Sequence, residues 1–90
     1  MEEKAIISSV GYDIGKKVKL NEFEILRLFE LIRYDQYHDF LQRMQAISSS
    51  VNISLPNQLW QCDYEDFESY VHALWVGLEI SLTAQRVITL

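Results

Sequence analysis

The chain is predicted to be all-α or mostly α, a small helical bundle. Two long segments each begin with a capping signal and continue with apolar residues at helical spacing. The composition, 49% hydrophobic and 23% charged, is typical of a folded globule. No internal repeat or Gly/Ser linker interrupts the 90 residues, so we expect residues 1–90 to form a single domain.

The N-terminal segment, residues 4–18, admits two predictions. Apolar residues recur every fourth position, which predicts a helix: Ile6, Val10, Ile14 and Val18. Gly11 and Gly15 oppose it, because each costs a helix about 1 kcal/mol relative to alanine. The run 5–10 is instead rich in strand-forming residues and would pair with residues 87–90 at the other terminus. We favour the helix and keep the short strand as the alternative.

The first long helix is predicted at about 22–48. Asn21 followed by Glu24 has the pattern of a capping box at its start. The apolar residues that fall on one stripe at 100° per residue are Phe23, Leu26, Phe29, Tyr37, Phe40, Leu41, Met44 and Ile47. Tyr34-Asp35 is the point at which this helix is expected to kink or break.

The second long helix is predicted at about 64–86, after a connection that contains three serines and Pro56. A short helical turn is allowed near residues 58–61. Asp63 followed by Asp66 is a looser capping box. The main apolar stripe comprises Tyr64, Phe67, Tyr70, Val71, Leu74, Trp75, Leu78 and Leu82.

Both long helices carry more apolar surface than one core face requires. The first has a second apolar face at Ile25, Leu28 and Ile32, and the second has one at Ala73, Val76, Ile80, Ala84 and Val87. A bundle of two or three helices buries one side of each helix, so these faces need another cover. Two interpretations stay open, and they are compatible because there are two such faces. The N-terminal segment covers one face, or the second face of the second long helix, which we call the alanine-rich face, mediates self-association in a homodimer or docking on another protein.

The charge distribution indicates the class of partner. The net charge is −5, and residues 44–85 contain five acidic side chains but no lysine or arginine. A surface of this kind repels phosphates, and the overall pI of about 4.8 does not suit a nucleic-acid-binding domain. We therefore expect another protein, with a basic surface, as the partner.

Aromatic residues are dense beside the acidic stretch. Interface hot spots favour tryptophan and tyrosine, and neighbouring acids would attract a basic surface. The candidate partner-binding residues are Trp60, Asp63, Tyr64, Glu65, Asp66 and Glu68. The competing interpretation is that the aromatic residues belong to the core.

Catalytic and metal-binding chemistry find little support. Cys62 has acidic neighbours, which raise the pKa of a thiol and make it a poor nucleophile. Polar side chains at ligand spacing occur in two sets: Asp35, His38 and Asp39, and Glu68 and His72. Such pairs are common on solvated helix faces. We therefore expect no enzymatic activity, no cofactor and no metal.

The leading functional prediction is a small acidic protein-interaction module, an inhibitor or a small subunit of a complex. Its size and charge are similar to those of immunity proteins of nuclease toxins, but this is a similarity of composition that no motif carries. The alternative is a small dimeric regulator that binds nucleic acid or metal. With no secretory signal pattern and no run of about 20 apolar residues, a cytoplasmic location and no membrane contact are expected.

Overall fold

The computed structural model describes residues 2–61 and 63–88, with side chains described for 5–61 and 63–84. Four α-helices and one 3₁₀ turn form the regular structure of these residues, which include no strand. The elements are α1 (Glu2–Lys17), α2 (Glu22–Arg33), α3 (Tyr37–Ser49), the 3₁₀ turn (Asn57–Trp60) and α4 (Tyr64–Ile88). The predicted helical bundle is confirmed.

The N-terminal segment is helical, as favoured, and the strand alternative is wrong. Residues 87–88 at the other terminus belong to α4, and residues 89–90 lie outside the described residues. The inward stripe of α1 differs from the prediction at one position, because Ile7 is buried whereas Ile6 is half exposed. Ile7, Gly11, Ile14 and Val18 are thus buried at intervals of four, three and four residues, as a helix face requires.

Helix α1 lies directly against α4, and glycines permit the close approach. A β-carbon placed on Gly11 would lie 2.8 Å from the carbonyl oxygen of Tyr70. One placed on Gly15 would lie 2.5 Å from the carbonyl oxygen of Leu74. Residue numbers rise together along the contact, so the two helices run in parallel. The connection 18–63 between them contains α2 and α3.

Gly77 completes this contact from the α4 side. A β-carbon on Gly77 would collide with the carbonyl oxygen of Tyr12 and would lie 2.9 Å from the α-carbon of Gly15. Further along, the buried hydroxyl of Ser81 donates a hydrogen bond to the carbonyl of Val18 at 2.9 Å. The glycines that weaken each isolated helix therefore allow the pair to pack without a layer of side chains between them.

The segment predicted as one helix at 22–48 forms two helices, broken where the sequence indicated. The Asn21 side chain accepts a hydrogen bond from the amide of Glu24 at 2.8 Å, which confirms the predicted cap of α2. Asp35 adopts a left-handed conformation with φ of 58°, and the amide of Gln36 donates back to the carbonyl of Leu31 at 2.8 Å. The chain therefore leaves the axis of α2 before α3 begins.

This break inverts the predicted faces of α2. Phe23, Leu26 and Phe29 were expected on the core stripe but are exposed, whereas Leu28 of the second face is fully buried. Ile32, also of that second face, packs on the core. A projection at 100° per residue holds only along a continuous helix, and the turn at Asp35 rotates α2 relative to α3. The second face of α2 is thus its core face.

The core takes side chains from all four α-helices and from the 3₁₀ turn. It includes Ile14, Leu28, Phe40, Met44, Leu59, Phe67, Tyr70, Leu74 and Leu78. The predicted stripe of α4 is confirmed at its centre, but Tyr64, at its beginning, is exposed. The stripe of the first long segment is confirmed in α3 alone. Two tyrosines that are not fully buried, Tyr37 and Tyr64, lie near each other where α3 and α4 begin.

Candidate functional site

The predicted partner-binding residues lie at the junction between the 3₁₀ turn and the first turns of α4. Trp60 is half-buried, and Asp63 and Tyr64 are exposed. The carboxylate of Asp63 accepts a hydrogen bond from the amide of Asp66 at 2.9 Å, which confirms the predicted cap. The acids of this first turn are therefore also explained by helix capping and by the helix dipole.

A hollow of about 250 Å³ opens at this junction between α3 and α4. Its walls are formed by Tyr37, His38, Leu41, Leu59, Trp60, Asp63, Tyr64 and Phe67, and we call it the aromatic hollow. Leu41, Leu59 and Phe67 are buried and form its base. Tyr64 and Asp63 stand at its exposed rim.

The rings around the aromatic hollow are packed on one another at an angle. Tyr37 lies 4.8 Å from Phe67 and 6.0 Å from Tyr64, centroid to centroid, with interplanar angles of 54° and 60°. On the other wall, His38 meets Trp60 edge to face at 5.5 Å. Such tilted contacts are favourable and hold each ring in a defined orientation. The walls therefore do not depend on a ligand for their shape.

The electrostatic character of the aromatic hollow is acidic. None of the residues that line it is a lysine or an arginine, and Asp63 contributes a carboxylate. On the α3 side, the hydroxyl of Tyr37 donates a hydrogen bond to Asp35 at 2.8 Å. π-faces beside the carboxylate of Asp63 at one opening attract cations.

This hydrogen bond raises the pKa of Tyr37 from its ordinary 10.0 to about 12, with desolvation and the negative charge of Asp35 adding to the effect. Loss of the phenolic proton would break the bond and place two negative charges together. We expect Asp35→Asn to bring the pKa of Tyr37 back towards 10, because asparagine tolerates the left-handed backbone and carries no charge. Titration of the Tyr37 ring by NMR measures the change. An unchanged pKa would mean that Asp35 does not control this ring.

The structure divides the predicted partner-binding residues into two groups. Trp60, Asp63 and Tyr64 line the aromatic hollow. Glu65 and Glu68 lie outside it and line a wider depression of about 790 Å³, which is formed by the first half of α4 together with Ser8 of α1. Asp66 lines neither opening. Successive helix positions differ by 100°, which explains why neighbours in sequence face different directions.

Sequence reasoning missed the contribution of α3. The sequence pattern places Tyr37 on the core stripe and offers His38 only as a metal ligand. The predicted break at Tyr34-Asp35 was the usable signal, because it makes Tyr37 the first residue of a new helix whose beginning faces the beginning of α4. The contacts that bring the two helices together are long-range and cannot be read from spacing within either one.

The alanine-rich face of α4, predicted to mediate self-association, is not covered by α1. Val76, Ile80 and Ala84 are exposed and Ala73 is half-buried, while the side chain of Val87 lies outside those described. The interpretation that the N-terminal segment covers one of the second faces does not hold for this one, because α1 packs on a different side of α4, along Tyr70, Leu74 and Gly77. Self-association through this face stays a prediction.

Among the described side chains, no group of three or more histidine, aspartate or glutamate residues is placed to hold a metal ion. Cys62 lies outside the described residues. No helix in the described part of the chain has both the length and the hydrophobicity that a membrane crossing needs. Comparisons with protein-family models, curated proteins and solved structures find no significant match.

Proposed function

We propose that this chain is a protein-binding module whose aromatic hollow receives a lysine or arginine side chain from a basic surface of its partner. The observation that carries the proposal is the composition of one opening: Tyr37, Trp60 and Tyr64 beside the carboxylate of Asp63, with no lysine or arginine in the lining. These groups attract a cation, and since the lining contains none, the cation comes from the partner.

The physical basis is the affinity of aromatic faces for cations. A cation over a tyrosine or tryptophan ring contributes about 0.5–1 kcal/mol at an exposed site and about 2 kcal/mol when desolvated. Trp60 is half-buried, so a side chain that enters beside it loses part of its water. Tryptophan and tyrosine are also the residues that most often dominate protein interfaces.

The size of the aromatic hollow favours one side chain over a whole small molecule. Its volume of about 250 Å³ is below the range of roughly 300–1,000 Å³ that is usual for small-molecule sites. The wider acidic face of α4, with Glu65 and Glu68, adds charge that steers a basic partner towards the opening. A module of this kind serves as an inhibitor that covers a basic site or as a small subunit of a complex.

The test is an NMR titration with a short glycine-serine peptide that carries one central arginine, followed at the indole N–H of Trp60. We expect saturable shifts at Trp60 and Tyr64, which the same peptide with glutamate in place of arginine does not produce. Tyr64→Ala should weaken binding several-fold, in line with about 1 kcal/mol for one exposed ring. Tyr64 is exposed, so its truncation leaves the core intact.

Asp63→Asn isolates the charge, because asparagine retains the acceptor that caps α4. We expect this variant to weaken binding and reduce its salt dependence. Glu79→Gln removes an exposed acid further along α4 and serves as the matched control, with wild-type affinity expected. Equal binding of the arginine and glutamate peptides, or equal effects of Asp63→Asn and Glu79→Gln, would contradict the proposal.

A further inference from the structure

Helix α2 presents to solvent an apolar face that the rest of the described chain covers only in part, where Phe29 meets Trp75. The exposed fractions of Phe23, Leu26 and Phe29 are 84%, 62% and 54%. We call these three residues, with Glu22 and Arg33 at the two ends and the exposed Glu30 between Leu26 and Phe23, the outer face of α2. The ring of Phe29 stacks on the ring of Trp75 of α4, with a distance of 5.0 Å between the ring centroids and an interplanar angle of 9°. The face is thus supported from behind by the body of the protein.

The exposed area is large for a single short helix. If a large apolar side chain offers about 200 Å², the three residues together leave roughly 350–400 Å² in water. Patches of a few hundred Å² mark interaction sites on soluble proteins. A standard interface buries about 800 Å² per partner, with an apolar centre and a polar rim. The outer face of α2 has the size of such a centre.

The charges at the ends of this face define what fits it. Glu22 lies in the first turn of α2 and Arg33 in the last, on the same side of the helix as Leu26. Neither forms an ion pair with a described side chain, although the guanidinium of Arg33 lies 5.8 Å from the centre of the Tyr34 ring. Glu24, by contrast, already pairs with Arg43 of α3 at 3.2 Å.

We propose that the outer face of α2 binds the same face of a second copy of this chain, with the two helices antiparallel. In that orientation, Glu22 of each chain approaches Arg33 of the other, while Leu26 and the two phenylalanines meet across the twofold axis. The helix dipoles are also antiparallel, which is favourable. A parallel pairing would place Glu22 against Glu22 and Arg33 against Arg33. The face therefore supplies both the apolar centre and the opposite charges that its own copy requires.

This surface is separate from the aromatic hollow, since none of its residues lines that opening. It also differs from the alanine-rich face of α4, on which self-association was predicted from the sequence. Val76 and Ile80 of that face are less exposed than Phe23 and Leu26. If the outer face of α2 forms the dimer, a charge at Leu26 weakens the dimer and a charge at Ile80 does not; if the alanine-rich face forms it, the reverse is expected.

The test is sedimentation equilibrium of the purified chain from micromolar to millimolar concentration. We expect a monomer–dimer equilibrium for the wild type and at least a tenfold weaker dimer for Leu26→Asp, with an unchanged helical circular dichroism spectrum. Ile80→Asp is the matched control on α4 and should dimerise like the wild type. A wild-type monomer at millimolar concentration would overturn the proposal, as would loss of the dimer in Ile80→Asp but not in Leu26→Asp.

The orientation is tested by reversing charges. Glu22→Arg and Arg33→Glu should each weaken the dimer several-fold, because each places like charges together in the antiparallel pair. The double variant Glu22→Arg/Arg33→Glu restores both attractions and should dimerise close to the wild-type level. If the dimer is parallel, a single reversal exchanges one repulsion for another, so unaffected dimerisation in both single variants would contradict the antiparallel arrangement.

Discussion

Gly77→Ala will destabilise the protein, although alanine is the better helix former by about 1 kcal/mol. The added methyl group would collide with the carbonyl oxygen of Tyr12 and lie 2.9 Å from both the α-carbon of Gly15 and the amide nitrogen of Lys16. These are backbone atoms, so α1 and α4 must separate to accommodate it. Overpacking of this kind costs typically 1–3 kcal/mol. Chemical denaturation should show the loss as a lower midpoint.

The matched control is Ser9→Ala, which makes an alanine at an exposed position of α1. We expect this change to be neutral or slightly stabilising, within about 0.5 kcal/mol. The comparison separates helix propensity from close packing. A Gly77→Ala protein more stable than the wild type would show that α1 and α4 do not pack backbone to backbone.

Leu28→Ala will lower the free energy of unfolding by about 2–5 kcal/mol, because Leu28 is fully buried and its truncation leaves a cavity. Leu26→Ala makes the same substitution two positions earlier, on the exposed outer face of α2. It should change stability by no more than about 0.5 kcal/mol in the monomer. Urea denaturation of both variants at low protein concentration measures the difference. A larger loss of stability in Leu26→Ala than in Leu28→Ala would mean that Leu26, and not Leu28, faces the core.

The orientation of α2 shows where local patterns stop being informative. Its cap at Asn21 and the break near Asp35 were both predicted correctly from the sequence. The prediction of the core face was wrong. The apolar residues of 23–29 and 37–47 fall on one stripe only if residues 22–48 form one continuous helix, and the break near Asp35 ends that continuity. Two apolar faces were visible, and spacing alone could not decide which one the rest of the fold would cover.

The glycines illustrate a related limit. Gly11 and Gly15 were correctly recognised as costly for a helix, which left the N-terminal segment open to a strand. Their benefit arises only when α4 lies opposite them, with Tyr70 against Gly11 and with Leu74 and Gly77 against Gly15, about 60 residues away in the sequence. A local propensity scale contains no term for this contact. Helix α4, with its cap at Asp63, was predicted well because its signals are local and uninterrupted.

The candidate site was predicted from one side only. Trp60, Asp63 and Tyr64 were selected from the density of aromatic and acidic residues. The opposite wall, with Tyr37 and His38, belongs to α3 and reaches the site through the packing of Tyr37 on Phe67. Sequence composition therefore selected three residues of the candidate site, and tertiary packing places Tyr37 and His38 beside them in one opening.

The most direct test of the proposed function is the measurement of intermolecular nuclear Overhauser effects between the arginine peptide and the aromatic rings of the protein. Contacts are predicted between the arginine side-chain protons and the rings of Tyr37, Trp60 and Tyr64, which together line the aromatic hollow. No contact is expected to Phe23, which lies on the outer face of α2 and outside that lining. Contacts to Phe23 without any to Trp60 and Tyr64 would contradict the assignment of the aromatic hollow as the binding site.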